Sequence, residues 1–171
     1  MMGAGKSSVG KSLLEVFPSY KFVDIDSQIE LDSNMPISEI FKKMGESEFR
    51  IMETKMCLSV SKTTNQIVST GGGIILNPEN VKCMKSSGII FWLYADNETL
   101  MSRIKDELHR PLINTSKNSE EVLETITSIM DKRFNLYRDA ADMIVNTSQL
   151  SVEECRNVII NEYERLKQCL N

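Results

Sequence analysis

Short β-branched runs alternate with longer stretches of helical periodicity along this chain. The runs read as strands are Lys21–Asp24, Gln66–Ser69, residues 89–94 and Met143–Asn146. Apolar spacing and end signals predict helices over residues 7–16, 37–44, 46–62, 78–85, 97–105, 119–139 and 151–170. Strands that alternate with helices argue for an α/β fold with a largely parallel sheet, because parallel neighbours need a crossover long enough to hold a helix. Residues 89–94 are apolar throughout, as a central strand buried on both faces requires. Pro78 suits a first helical turn, where its missing N–H costs nothing. The polar stretch 106–118, with His109, Arg110 and Pro111, is expected to be a mobile loop inside one unit.

Bulk composition narrows this picture without adding chemistry. A chain of 171 residues argues for one domain, large enough for a core without disulfide or metal staples. Apolar residues at 41% and charged residues at 26% are ordinary for a soluble globular protein. The net charge of −4 implies no general attraction to nucleic acid or anionic membrane, so phosphate binding must come from local basic residues and backbone N–H groups. Cys57, Cys83, Cys155 and Cys169 form no C-x-x-C pair and His109 is the only histidine, so no zinc site is expected. Reduced thiols in a cytoplasmic protein are the plain reading. No apolar run approaches the roughly 18 residues of a membrane span, and no signal pattern opens the chain.

The chemistry begins at the N-terminus. Gly3, Ala4, Gly5, Lys6 and Ser7 form the C-terminal half of the phosphate-loop pattern G-x-x-x-x-G-K-[ST]. Glycines let backbone N–H groups wrap a phosphate, and the helix that follows presents its positive end to the anion. Lys6 would reach the β- and γ-phosphates of a nucleotide, and the Ser7 hydroxyl would ligate Mg²⁺. The first glycine of the pattern would fall one position upstream of Met1, and the strand that feeds such a loop is also missing. The expectation is that a short segment holding one strand precedes the sequence. The alternative is a glycine-rich tail opening a helix.

Five further groups stand out. Asp24 and Asp26 follow the first strand, where α/β folds bind ligands, and a spacing of two places both on one face of an extended strand. One could hold Mg²⁺ while the other takes a substrate hydroxyl, or Asp26 could cap a helix toward Glu30. Arg50 lies four residues after Glu46, which fits either a helix ion pair or a fork for a substrate carboxylate. Gly71, Gly72 and Gly73 end the second strand, where glycines mark a tight turn or a close approach to a ligand. Arg103 and Arg110 flank the polar loop, as solvated charges or as groups closing over a triphosphate. Arg133 and Tyr137 lie one helical turn apart, on what could equally be a solvated face.

Together the runs M-G-A-G-K-S-S-V-G at 2–10, F-V-D-I-D at 22–26, G-E-S-E-F-R at 45–50, S-T-G-G-G at 69–73, R-P-L at 110–112 and R-F-N-L-Y at 133–137 resemble the shikimate kinases in order and spacing. The resemblance covers residues 1 to about 146. It implies a P-loop kinase fold with a five-stranded parallel sheet of order 2-3-1-4-5. The four strands above would be the second to fifth, in one domain over 1–171 with a substrate-binding helical region near 27–62 and a lid near 106–118. It implies transfer of the ATP γ-phosphate to the 3-hydroxyl of shikimate with Mg²⁺, a step toward chorismate and the aromatic amino acids, by a cytoplasmic monomer. By position, Gly3, Ala4, Gly5, Lys6, Ser7 and Ser8 would contact ATP, with Lys6, Asp26 and Arg110 catalytic. Ser7 and Asp24 would serve Mg²⁺. Asp26, Arg50, Gly71, Gly72, Gly73 and Arg133 would bind shikimate, the two arginines through its carboxylate. Arg103 would lie near the adenine. The stretch 147–149, where the family's adenine loop would fall, is too undistinctive to supply a residue. A gluconate kinase of the same fold, or a catalytically impaired nucleotide-binding module, are the alternatives.

Overall fold

Lys21–Asp24 (β1) pairs in parallel with Gln66–Ser69 (β2), Lys21 opposite Gln66 and Asp24 opposite Ser69. The computed structural model describes residues 3–106 and 119–170. A second parallel pair joins Phe91–Tyr94 (β3) to Met143–Asn146 (β4). Among the described residues the two pairs are not hydrogen-bonded to each other. Numbered second to fifth, these strands are the neighbours that the order 2-3-1-4-5 sets at its two ends. The third strand is shorter than predicted. The Asp142 carboxylate takes the Ile90 amide at 2.8 Å, and pairing in the strand begins at Phe91. Trp92 and Leu93, which point to opposite faces, are both buried, so the expectation of two covered faces holds at the strand's centre.

The helices are α1 (Lys6–Ser12, continued by a 3₁₀ turn at Leu13–Glu15), α2 (Ile25–Ser33), α3 (Ile37–Val60), α4 (Pro78–Ser87), α5 (Asn97–Asp106), α6 (Ser119–Ala140) and α7 (Val152–Leu170). The two helices predicted over 37–62 are one element with a break. Gly45 sits at φ 85° and ψ 167°, a backbone conformation that L side chains avoid, and kinks α3 there. Ile25, Ile29 and Ile40, all at most 2% exposed, lie in the core where α2 packs on α3. Each contributes about 1.5–3 kcal/mol relative to an exposed side chain.

Two connections tie the strand pairs together and thereby position the site. Residues 3–10 reach both halves: a β-carbon on Gly3 would meet Leu100 and Ile104 of α5, and one on Gly10 would meet Phe22 of β1 and Ile67 of β2. On the other side, α6 hydrogen-bonds the turn that follows β2. The terminal α7 closes over α1, and Tyr163 meets Tyr20 hydroxyl to hydroxyl at 3.1 Å.

Candidate functional site

Gly3 (φ 75°) and Gly5 (φ 80°) both hold left-handed backbone conformations, which is why glycine is needed at these two places. Lys6 and Ser7 follow at once as the first residues of α1, with Ala4 fully buried beneath the loop and Ser8 exposed. The Ser7 hydroxyl donates to Asp24 Oδ2 at 3.0 Å. The phosphate loop and the end of β1 therefore meet through two oxygen-bearing side chains.

Asp24 and Asp26 do not share a strand face, contrary to the spacing argument. The Asp24 Oδ1 atom accepts the Ser27 amide at 3.3 Å, which caps α2 and ends the strand at Asp24. The helix cap anticipated at Asp26 is thus made by Asp24, and Asp26 lies in the first turn of α2. The turn directs it toward Gly71, where a β-carbon would stand 2.6 Å from Asp26 Oδ1 and 3.0 Å from Glu53 Oε1.

The glycine turn after β2 is where the predicted residues converge. A β-carbon on Gly73 would collide with the Arg50 guanidinium. The Gly72 carbonyl accepts from Arg133 Nη1 at 3.2 Å and from the Tyr137 hydroxyl at 2.5 Å. Neither Gly71 nor Gly73 adopts a positive φ, so these glycines serve close approach rather than an unusual backbone. Asp26, Arg50 and Arg133, which are separated widely in sequence, thus touch three consecutive residues.

Both readings of Arg50 find support in the geometry. It donates to the exposed Glu46 at 3.0 Å, the ion pair suggested by spacing, and to the buried Glu53 at 2.7 Å. Burial opposes the Arg50 charge, but the bonds to Glu53 and Glu46 more than offset this and raise its pKa. Burial pushes the Glu53 carboxyl above its ordinary range and nearby Asp26 adds to the rise, while Arg50 pulls the other way. Glu53 Oε1 is buried with no hydrogen-bond partner among the described residues. The cluster at the glycine turn therefore holds two carboxylates and two guanidinium groups with polar capacity left over at Glu53.

Arg103 joins the loops instead of lying free. Its guanidinium donates to the Thr147 carbonyl at 2.6 Å, to Thr147 Oγ1 at 3.1 Å and to the Gly3 carbonyl at 3.4 Å. Arg110 and, apart from Asp106, the stretch 106–118 expected to be a lid lie outside the described residues. Glu53, Tyr137 and Thr147 were assigned no role from sequence. Glu53 sits three residues after Arg50, and Tyr137 belongs to the R-F-N-L-Y run, so both carried a weak signal. Thr147 falls in the 147–149 stretch, where the resemblance places the adenine loop but marks no single residue.

Comparisons with known proteins agree with one another. A family model described as shikimate kinase matches residues 2–164. A shikimate kinase of Thermodesulfovibrio yellowstonii is 41% identical over 165 residues, covering 96% of this chain and 92% of that protein. The solved structure of shikimate kinase from Acinetobacter baumannii in complex with shikimate is similar at a TM-score of 0.81 and 30% identity, covering 98% of this chain and 89% of that one. Shikimate kinase from Bacteroides thetaiotaomicron superposes with a TM-score of 0.87 at 27% identity, covering 98% and 94%.

Proposed function

The chain belongs to the shikimate kinase family, and we propose that its two side-chain clusters divide the work of moving the ATP γ-phosphate onto the 3-hydroxyl of shikimate, giving shikimate 3-phosphate and ADP. The observation that carries this division is the convergence of Asp26, Arg50 and Arg133 on the Gly71–Gly73 turn, beside a phosphate loop tied to β1 through Ser7 and Asp24.

Phosphoryl transfer needs positioning and charge neutralisation more than covalent chemistry. Gly3, Ala4, Gly5, Lys6, Ser7 and Ser8 would hold the triphosphate, with Lys6 meeting the charge that develops on the transferred group. Arg103, already anchoring Gly3 and Thr147, would border the adenine. Arg110 takes its role at the γ-phosphate from the R-P-L run alone. Arg50 and Arg133 would pair with the shikimate carboxylate, Arg50 by exchanging its exposed partner Glu46 for the substrate. That anchoring points the ring hydroxyls at Asp26, which would accept the hydrogen bond of the reacting hydroxyl and receive its proton.

The Ser7 hydroxyl and Asp24 carboxylate, 3.0 Å apart, are hard oxygen donors of the kind Mg²⁺ takes together with nucleotide phosphates and water. Ser7 and Asp24 would hold the ion, which when bound would supply positive charge against the nucleotide phosphates. The reading extends to a cytoplasmic monomer; among the described residues no helix is long and apolar enough to cross a membrane.

A coupled assay of ADP release tests the proposal. ADP should appear when shikimate is added and not when gluconate replaces it. Arg50→Ala and Arg133→Ala should raise the shikimate KM with little change in the ATP KM. Unchanged shikimate kinetics in either variant would sink the assignment of that arginine.

A further inference from the structure

Tyr137 has no part in the assignments above, yet it grips the centre of the acceptor site. Its ring is buried and stacks on Trp92 of β3, with centroids 5.3 Å apart and planes 18° from parallel. Phe134 packs edge-on against the same indole. The hydroxyl is thereby fixed at 2.5 Å from the Gly72 carbonyl, the same oxygen that Arg133 holds at 3.2 Å. On either side of that carbonyl, Gly71 abuts Asp26 and Glu53, and Gly73 abuts Arg50. Small shifts of Gly72 therefore reach every acceptor-side group.

We propose that Tyr137 is a positioning residue for the acceptor, its hydroxyl holding the Gly72 carbonyl in place when Arg133 turns to the substrate carboxylate. This rests on the reading of Arg133 as a carboxylate anchor. A guanidinium prefers a charged acceptor to a neutral carbonyl, so an arriving carboxylate draws Arg133 away from Gly72. A carbonyl oxygen accepts two hydrogen bonds, and the second donor keeps it satisfied after the first leaves. Without that donor, substrate binding would have to leave a partly buried acceptor unpaired. Burial, above all, raises the Tyr137 pKa, so the phenol keeps its proton and remains a donor across neutral pH.

The test is Tyr137→Phe, which keeps the ring and its stack on Trp92 and removes only the donor. The loss of one neutral hydrogen bond should raise the shikimate KM by roughly three- to tenfold, with kcat at saturating shikimate and the ATP KM within about twofold of wild type. Trp92 is the only tryptophan in the chain, so shikimate titrated against its fluorescence gives the same comparison at equilibrium, without turnover. In an Arg133→Ala background the effect of Tyr137→Phe should shrink to about twofold or less, because no guanidinium remains to be exchanged. A wild-type shikimate KM in Tyr137→Phe overturns the proposal. So does an equal loss in the ATP KM, which would mark a purely structural role, or a full-sized effect in the Arg133→Ala background. If Arg133→Ala itself leaves shikimate binding unchanged, the reading of the anchor fails instead, and the two failures are distinguished by which single variant is silent.

Discussion

The Arg50 guanidinium donates to the Glu53 carboxylate at 2.7 Å, and the Glu53 side chain is only 1% exposed. Removing Arg50 strands a buried charge. Breaking a buried pair from one side costs about 3–5 kcal/mol. Because Arg50 is itself a quarter exposed, Arg50→Ala should lower the unfolding free energy by a smaller amount, about 2–3 kcal/mol. Urea unfolding measures this. The double variant Arg50→Ala/Glu53→Gln should recover about half of that loss, since an amide replaces the stranded carboxylate. Its shikimate KM should stay as poor as that of the single variant. The pH dependence follows in sign. The Glu53 pKa is raised above the ordinary 4.5, so its ionisation opposes folding increasingly as pH rises through the window that opens there. The Arg50→Ala deficit should therefore shrink as pH falls toward 4.5. A double variant no more stable than Arg50→Ala would show that the stranded charge does not set the cost.

Three glycine substitutions separate close approach from backbone strain. Gly73→Ala drives a methyl group into the Arg50 guanidinium and should raise the shikimate KM by about tenfold or more, the range for a disturbed charged contact. Gly71→Ala presses instead on Asp26 and Glu53 and should lower kcat, because Asp26, the proposed partner of the reacting hydroxyl, is displaced. Gly45 has open space around a built β-carbon but a φ of 85°. Gly45→Ala should therefore cost about 1–3 kcal/mol of stability and leave the shikimate KM alone. Steady-state kinetics and thermal unfolding on the three variants check the pattern, and a KM effect at Gly45 would contradict it.

What was legible in the sequence had a local cause. The β-branched runs gave the strands, and the left-handed backbone at Gly3 and Gly5 left its mark as the glycines of the phosphate loop. Asp24 and Asp26 stand out in the sequence but do not share a strand face, because two local preferences compete there and the cap on the Ser27 amide wins over one more strand residue. Glu53 escaped notice because its burial depends on the turn at residues 71–73, and from spacing alone Arg50 already had a partner in Glu46. Tyr137 meets its acceptor 65 positions away, a contact that no helical periodicity can announce. The family motifs marked the Arg50 and Tyr137 positions without giving the geometry that connects them.

Asp24 combines two jobs that substitution can separate. Its Oδ2 faces Ser7 at 3.0 Å, and its Oδ1 caps α2 at 3.3 Å. Asp24→Asn keeps a capping oxygen and loses the charge. The Mg²⁺ concentration for half-maximal rate should rise by about ten- to a hundredfold, the range for disturbed metal-site partners, with thermal stability near wild type. Asp24→Ala should show the same Mg²⁺ defect and lose about 1 kcal/mol more in stability from the missing cap. Metal titrations of the rate, paired with thermal melts, read both quantities. Equal melting temperatures for the two variants would deny Asp24 its capping role, and an unaltered Mg²⁺ requirement in Asp24→Asn would deny it the metal.

Asp96 offers a titration whose direction is fixed by geometry. Its carboxylate accepts the Thr99 amide at 2.8 Å at the start of α5, and its own amide donates to Ser148 Oγ at 3.0 Å. A hydrogen bond from Ser148, followed by those from Thr99, depresses the Asp96 pKa from 3.8 to about 2. A carboxylate depressed in the folded state stabilises it above the unfolded pKa, and that contribution disappears as the group is protonated in the fold. Asp96→Asn should therefore be less stable than wild type by a constant margin from pH 7 to 5. The margin should narrow below pH 3.8 and close near pH 2. Because α5 carries Arg103, which ties Gly3 to Thr147, the same variant should loosen that end of the nucleotide side first. Hydrogen exchange at the α5 amides, followed alongside urea midpoints across this pH range, measures both effects. A stability margin that does not change with pH would mean that the Asp96 charge contributes nothing.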